Sequence, residues 1–200
     1  MFIQVITGQA VDRDGLHRQL ERWAEELRPG AAGFLGSTAG ITDDGRFIAV
    51  VRFESEDAAR LNSGRDEQGA WWAETEKCLA GVAFRESVDV TTMLGGAPDK
   101  AGFVQVMRGR VADPNGLGVL RAGIRAMESD LQRHRPDVLG DVIALHADGS
   151  YTDVVYFTSE SAARQGEAQT LPADVEARFG DLMKAVAVDE YLDLREPWLF

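Results

Sequence analysis

The chain repeats itself, and that constrains its fold more than any composition does. Residues 34–60 align with residues 138–164 at a constant offset of 104, with 12 identities in 27 positions. The identities include Asp44-Gly45 with Asp148-Gly149 and Ala58-Ala59-Arg60 with Ala162-Ala163-Arg164. Before that stretch the offset is 101: Phe2, Gln4, Val5, Gly8, Gly15 and Leu16 meet Phe103, Gln105, Val106, Gly109, Gly116 and Leu117. Three extra residues therefore fall in or after the first helix of the second copy. The offset of 104 holds to the end, where Glu86 and Asp89 meet Glu190 and Asp193. A period of this length means two copies of one supersecondary unit. The expected division is residues 1–96 and 103–200, with 97–102 as linker inside the turn-rich run Gly95-Gly96-Ala97-Pro98-Asp99-Lys100.

Each copy reads the same way. A β-rich run (Phe2 to Val11; Phe103 to Val111) precedes Asp and Gly and an amphipathic helix. Leu16, Leu20, Trp23 and Leu27 mark the inner face of that helix in the first copy, and Leu117, Leu120, Ile124, Met127 and Leu131 in the second. Arg28-Pro29-Gly30 and Arg135-Pro136 stop it. Two strands follow, joined at Asp43-Asp44-Gly45 and Ala147-Asp148-Gly149. Ser55 and Ser159 stand as N-caps of a second helical region. A last strand closes each copy, Ala83 to Met93 and Val186 to Leu194. The order β-α-β-β-α-β is the ferredoxin-like unit, an α+β fold. Its helices cover one face of its sheet, and a second identical sheet would bury the other. Two repeats packed as one barrel-like unit in a single chain are therefore expected.

Charge and composition narrow the function. A formal net charge of -12 over 200 residues argues against nucleic acid and against anionic membrane surfaces, both of which draw on clustered Lys and Arg. No apolar run reaches the roughly 18 residues a bilayer requires. Met1-Phe2-Ile3-Gln4-Val5-Ile6 lacks the basic start of a signal peptide. The single cysteine, Cys78, forms no internal disulfide, which fits a reducing, cytoplasmic location. GxGxxG after a strand, a P-loop, CxxC pairs, HExxH and GxSxG are all missing. Dinucleotide, nucleotide triphosphate, zinc and serine-hydrolase readings therefore have no motif to stand on.

One run is more specific. Residues 28–36 (RPGAAGFLG), the Asp44-Gly45 hairpin and the run Val51-Arg52-Phe53-Glu54-Ser55-Glu56-Asp57-Ala58 resemble the antibiotic biosynthesis monooxygenase-like family of the dimeric α/β barrel superfamily. Members usually pair two identical chains, so this chain resembles such a dimer fused into one polypeptide. The resemblance implies several activities. Some members oxygenate electron-rich polycyclic aromatics without metal or flavin, and others degrade haem. The haem-degrading branch places an Asn on the first strand and, on the second helix, a Trp followed by an axial His. Here the first strand offers Gln4 or Thr7, and residues 73–81 contain no His. Cys78 is a conceivable soft ligand but reads as a small buried hydrophobe. No cofactor and no metal site are expected.

The candidate ligand-pocket residues are Trp71, Trp72, Arg52, Tyr156 and His146. Trp71-Trp72 in the second helical region has Val175-Glu176 as its counterpart, so the copies diverge there. The pair either stacks on a planar ligand or packs on the sheet. Arg52 and Tyr156 correspond between the copies and would set a cation against a phenol if both face inward. His146 ends a strand and is either a general base or a strand-end histidine. His17 and His134 show no ligand spacing with it. Asp153 stands where the first copy has Ala49, which leaves the inward face of that strand open. No catalytic residue is assigned. The readings are a cofactor-independent monooxygenase acting on a small aromatic molecule, a binding or sensing barrel for an apolar small molecule, and a self-filled barrel. The partner in the first two is a small-molecule ligand. The expected state is a monomer with an internal pseudo-dimer, or a weak homo-oligomer.

Overall fold

A computed structural model of the chain describes residues 1–112 and 117–200, without the side chains of Leu117, Val119 and Leu120. Gly116, matched by the repeat to Gly15, and the inward placement expected of Leu117 and Leu120 lie outside the described residues. The architecture is α+β and ferredoxin-like, with two five-stranded sheets. By its contacts the chain divides into two compact units. Unit 1 is Met1–Asp89 with Glu196–Phe200, and unit 2 is Val90–Arg195.

In unit 1, β1 (Phe2–Ala10), β2 (Phe34–Ile41), β3 (Arg46–Phe53) and β4 (Leu79–Ser87) carry α1 (Arg13–Arg22), α2 (Glu56–Ser63) and α3 (Asp66–Thr75). Asp12 starts α1 by accepting the Gly15 N–H at 2.8 Å. The helix widens into a π-type turn at Trp23–Leu27 and tightens at Arg28–Gly30, where Pro29 ends it. Thr42 and Arg46 close the β2–β3 hairpin, and Gly45 supplies the left-handed residue (φ +85°). Strand alternation then sorts the side chains. Ile6, Phe47 and Ala49 meet Leu16 of α1 on the helix-covered face. Ile3, Val5, Ile48 and Val50 point the other way and are buried too.

Unit 2 repeats the plan. β6 (Phe103–Val111), α4 (Leu117–His134), β7 (Val138–Leu145), β8 (Ser150–Phe157), α5 (Glu160–Ala168), α6 (Ala173–Lys184) and β9 (Val186–Leu194) follow in order. Val111, Ile143, Leu145 and Tyr151 of its sheet pack on Ile124 of α4, with Leu131 and Leu182 beside them. Ser55 and Ser159 both cap as expected, each accepting an N–H three residues on at 3.1 Å.

The run from Ala83 to Met93 is two strands, where the sequence suggested one. At Ser87 the side-chain hydroxyl accepts the Asp89 N–H at 3.0 Å, a turn that ends β4 and exposes Val88. The next piece, β5 (Asp89–Met93), lies beside β7. The segment after β9 behaves alike: β10 (Trp198–Leu199) pairs with β2. The sheet orders are β10-β2-β3-β1-β4 and β5-β7-β8-β6-β9, so each sheet ends in a segment that follows the other copy's last strand. Gly140 makes this close fit workable in unit 2, since a Cβ there would meet the Gly96 carbonyl oxygen at 1.8 Å. No helix among the described residues is long and apolar enough to cross a membrane.

Candidate functional site

In unit 1 the three sequence candidates fall at two separate places. Trp71 is core: it is 6% exposed, packs with Trp23, Leu27 and Ala31, and donates its indole N–H to the Gln19 carbonyl at 2.7 Å. That buried N–H is therefore already satisfied. Trp72, one position on, turns toward β4. It meets Phe84 edge-on at 5.3 Å between ring centres, and Phe84 is half exposed. Arg52 lies on the opposite face of the sheet, buried, with Nη1 donating to Thr38 Oγ1 at 3.2 Å. Its guanidinium covers Gly36, where a Cβ would meet Nη2 at 2.4 Å.

In unit 2, Tyr156 is fully buried on the face away from the helices, opposite Val104 and Gly140. His146 follows the end of β7 directly, buried, with Nε2 and Thr152 Oγ1 2.9 Å apart. Thr152 and Tyr156 are four residues apart along β8, about 13 Å at strand rise. The unit does not bring His146 and Tyr156 together. Cys78 is buried in unit 1 and its thiol is pushed up, first by that burial and then by Asp12, so it is a poor nucleophile. Among the described residues no group of three or more His, Cys, Asp or Glu is placed to hold a metal ion.

The strongest chemistry lies elsewhere in unit 2, on the helix-covered face. Asp141 of β7 pairs with Val155, and Asp153 of β8 pairs with Ile143 and Met107. The two acids are diagonal neighbours on one face, and their carboxyls hydrogen-bond each other. Asp141 is 4% exposed. Burial, then the charge of Asp153, pushes the Asp141 carboxyl well above the usual range. Burial pushes Asp153 up to about 6, against the lowering effect of its bond to Asp141. The Oδ1 atom of each is buried, and no donor group reaches it. Tyr151, two residues before Asp153 on the same face, is pushed up to about 12 by burial and then by Asp153, so its phenol stays protonated.

This is a proton-sharing acid pair beside a phenol in an otherwise aliphatic layer. Like charges so placed cannot both ionise readily, and one carboxyl holds the proton while the other carries the charge. At the matched positions unit 1 has Ser37, Ala49 and Phe47, none of them titratable. The sequence signal was Asp153 standing opposite Ala49. Its partner Asp141 was missed because β7 carries a bulge between Val138 and Gly140, which moves Asp141 onto the face that also holds Val138.

No family model matches the chain, and no curated protein is similar to it in sequence. Solved structures share its fold. A candidate monooxygenase from Lactobacillus acidophilus NCFM is 11% identical, with a TM-score of 0.73 over 100% of this chain and 98% of that one. An anthrone oxidase-like protein is 14% identical, with a TM-score of 0.66 over 96% and 89%. A ferredoxin-fold protein from Listeria monocytogenes related to antibiotic biosynthesis monooxygenases is 6% identical, with a TM-score of 0.50 over 96% and 92%. At these identities the likeness is one of fold.

Proposed function

We propose that this chain, whose fold is that of the antibiotic biosynthesis monooxygenase-like proteins, oxidises a small aromatic molecule with molecular oxygen, using the acid pair of unit 2 as proton acceptor. The observation that carries this reading is the Asp141–Asp153 pair with its two unmet oxygens in an apolar layer. Such groups destabilise a fold and concentrate where chemistry is done.

The chemistry asked of the protein is small. Above about pH 6 the Asp153 carboxylate takes a proton from an activated C–H or phenolic O–H of the substrate. The resulting anion is electron-rich enough to reduce oxygen. For a methylene between two aryl groups the balance is CH2 plus O2 giving C=O plus H2O. Asp141 keeps its proton and, by donating to Asp153, holds the carboxylate in place until it takes the substrate proton. The aliphatic walls exclude water and strengthen that bond.

Oxygen uptake with a panel of reduced polyphenols and anthrones tests the reading. Uptake is expected with at least one neutral polycyclic member. No uptake across the panel, with native protein at pH 7.5, ends the oxygenase reading.

A second reading is binding without conversion. It is favoured by the half-buried Trp72 against the half-exposed Phe84, a pair of aromatic faces suited to a planar ligand in unit 1. Unchanged affinity in Trp72→Ala would remove that residue from the site.

A further inference from the structure

The helix layer of unit 1 holds an unbroken run of aromatic rings. Trp23 and Trp71 lie 6.3 Å apart between ring centres and Trp71 and Trp72 5.9 Å apart, with interplanar angles of 54° and 51°. A phenylalanine closes each end: Phe34 meets Trp23 edge-on at 4.8 Å, and Phe84 meets Trp72 edge-on at 5.3 Å. Trp23 and Trp71 are 7% and 6% exposed, while Trp72 is half-buried against the half-exposed Phe84. The two buried indoles donate their N–H groups to Gln68 Oε1 and the Gln19 carbonyl, each at 2.7 Å. Both acceptors are neutral amide oxygens, far too weak as bases to take an indole proton. Unit 2 has Val175 and Glu176 where unit 1 has Trp71 and Trp72, and it contains no tryptophan.

We propose that Trp23, Trp71 and Trp72 form a conduit for single oxidising equivalents, with Trp72 as its solvent-facing end. This function is independent of the acid pair. Indole gives up one electron far more readily than a phenyl ring, so the tryptophans are the stations and the phenylalanines insulate them. Electron tunnelling falls steeply with distance, and two steps between neighbouring rings outrun one step across the whole run. A strong one-electron oxidant, such as carbonate radical anion or an arene radical cation, takes an electron from an indole of the run. Held against an amide oxygen, an oxidised Trp23 or Trp71 keeps its proton and stays a cation radical, which draws an electron from the next indole. An unpaired cation is also costly in that apolar layer, which favours its passage outward. At Trp72 the cation radical releases its N–H proton to water and becomes a neutral radical, a weaker oxidant, so the equivalent rests there. A phenol or thiol in solution then returns one hydrogen atom, which restores Trp72 and leaves a phenoxyl or thiyl radical.

The test starts the oxidation at the buried end. Glu26 is exposed and three residues after Trp23, so a ruthenium photo-oxidant attached to Glu26→Cys sits near that indole. Cys78 is buried with its thiol pushed up by that burial, which directs the label to position 26. After flash oxidation with a soluble quencher, peptide mass spectrometry maps the oxidised tryptophans. Trp198, which stacks on His17 instead, counts direct attack through solution. In the labelled parent chain the product is expected at Trp72, with Trp23 and Trp71 spared. In Trp71→Phe the yield at Trp72 relative to Trp198 is expected to fall about tenfold or more, and product appears at Trp23. Trp72→Phe removes the exit instead, so that product appears at Trp71 and Trp23; it serves if Trp71→Phe does not fold. Adding 4-methylphenol to the parent chain is expected to suppress the Trp72 product. Product confined to Trp23 in the parent, a Trp72 yield indifferent to Trp71→Phe or to the phenol, or a Trp72→Phe chain that keeps Trp71 and Trp23 intact overturns the proposal.

Discussion

Units 1 and 2 use one frame for different ends. On the helix-covered face of unit 1, Ser37, Ala49 and Phe47 sit among Ile6, Leu16 and Leu79, and the adjoining layer is filled by Trp23 and Trp71. The indole N–H groups there are satisfied: Trp23 donates to Gln68 Oε1 and Trp71 to the Gln19 carbonyl, each at 2.7 Å. On the same face of unit 2, Asp141, Asp153 and Tyr151 replace the first three, and two carboxyl oxygens go unmet. One half spends its interior on packing. The other buries acids that weaken it, and groups of that kind concentrate where chemistry is done.

The largest effect should come from erasing that difference. Asp141→Ser/Asp153→Ala makes unit 2 resemble unit 1 and is expected to lower oxygen uptake with a productive substrate by about a hundredfold or more, the usual worth of a positioned base. A double variant that turns over within a few-fold of wild type would show that the acids are bystanders.

Much of this contrast was out of reach of the sequence. The frame was legible, because the offset repeat, the Ser55 and Ser159 caps and the Asp-Gly hairpins are local signals. The strand break at Ser87–Asp89 was not, because a run with strand-like alternation gives no sign of which sheet will take its end. The acid pair was half legible. Asp153 stood out against Ala49, but its partner depends on a bulge at Leu139 that shifts β7 by one residue relative to strict alternation. The candidates that were legible lie away from the acid pair. Trp71 is core, and Arg52 and His146 each contact a threonine on the far face of their own sheets.

Next in size is the reverse experiment on unit 1. Trp71→Val imports Val175, empties a large part of the Trp23–Leu27–Ala31 cluster and removes the indole N–H that the Gln19 carbonyl accepts. A loss of about 3 kcal/mol in urea unfolding is expected. Oxygen uptake should change little where the protein stays folded. A variant that is stable but inactive would move the working site into unit 1.

A third effect reads the two roles of the acids against each other. Both carboxyls bind their protons more tightly in the folded chain than in the unfolded one. The stability this confers is fully present below the unfolded value of 3.8 and is lost as pH rises through about 6. Activity should run the opposite way, rising with pH as Asp153 ionises. Chemical denaturation from pH 5 to pH 8 is therefore expected to show a downward slope that Asp153→Ala flattens, with the variant the more stable at pH 8. An upward slope carried by Asp153 would mean that the acids are compensated by a charge that offsets their burial.

The smallest effect tests the frame the comparison assumes. Ser55 and Ser159 occupy matched positions with matched geometry: extended backbone (φ -150° and -162°) and one accepted N–H at 3.1 Å each. Neither bond depends on the chemistry that separates the units. Ser55→Ala and Ser159→Ala should therefore each cost about 1 kcal/mol, agreeing within a few tenths, and neither should alter oxygen uptake. Equal losses would locate the divergence between the copies in their interiors. A Ser159→Ala loss well above its counterpart would instead place strain at the start of α5, and the difference between the units would then begin in the backbone rather than at Asp141 and Asp153.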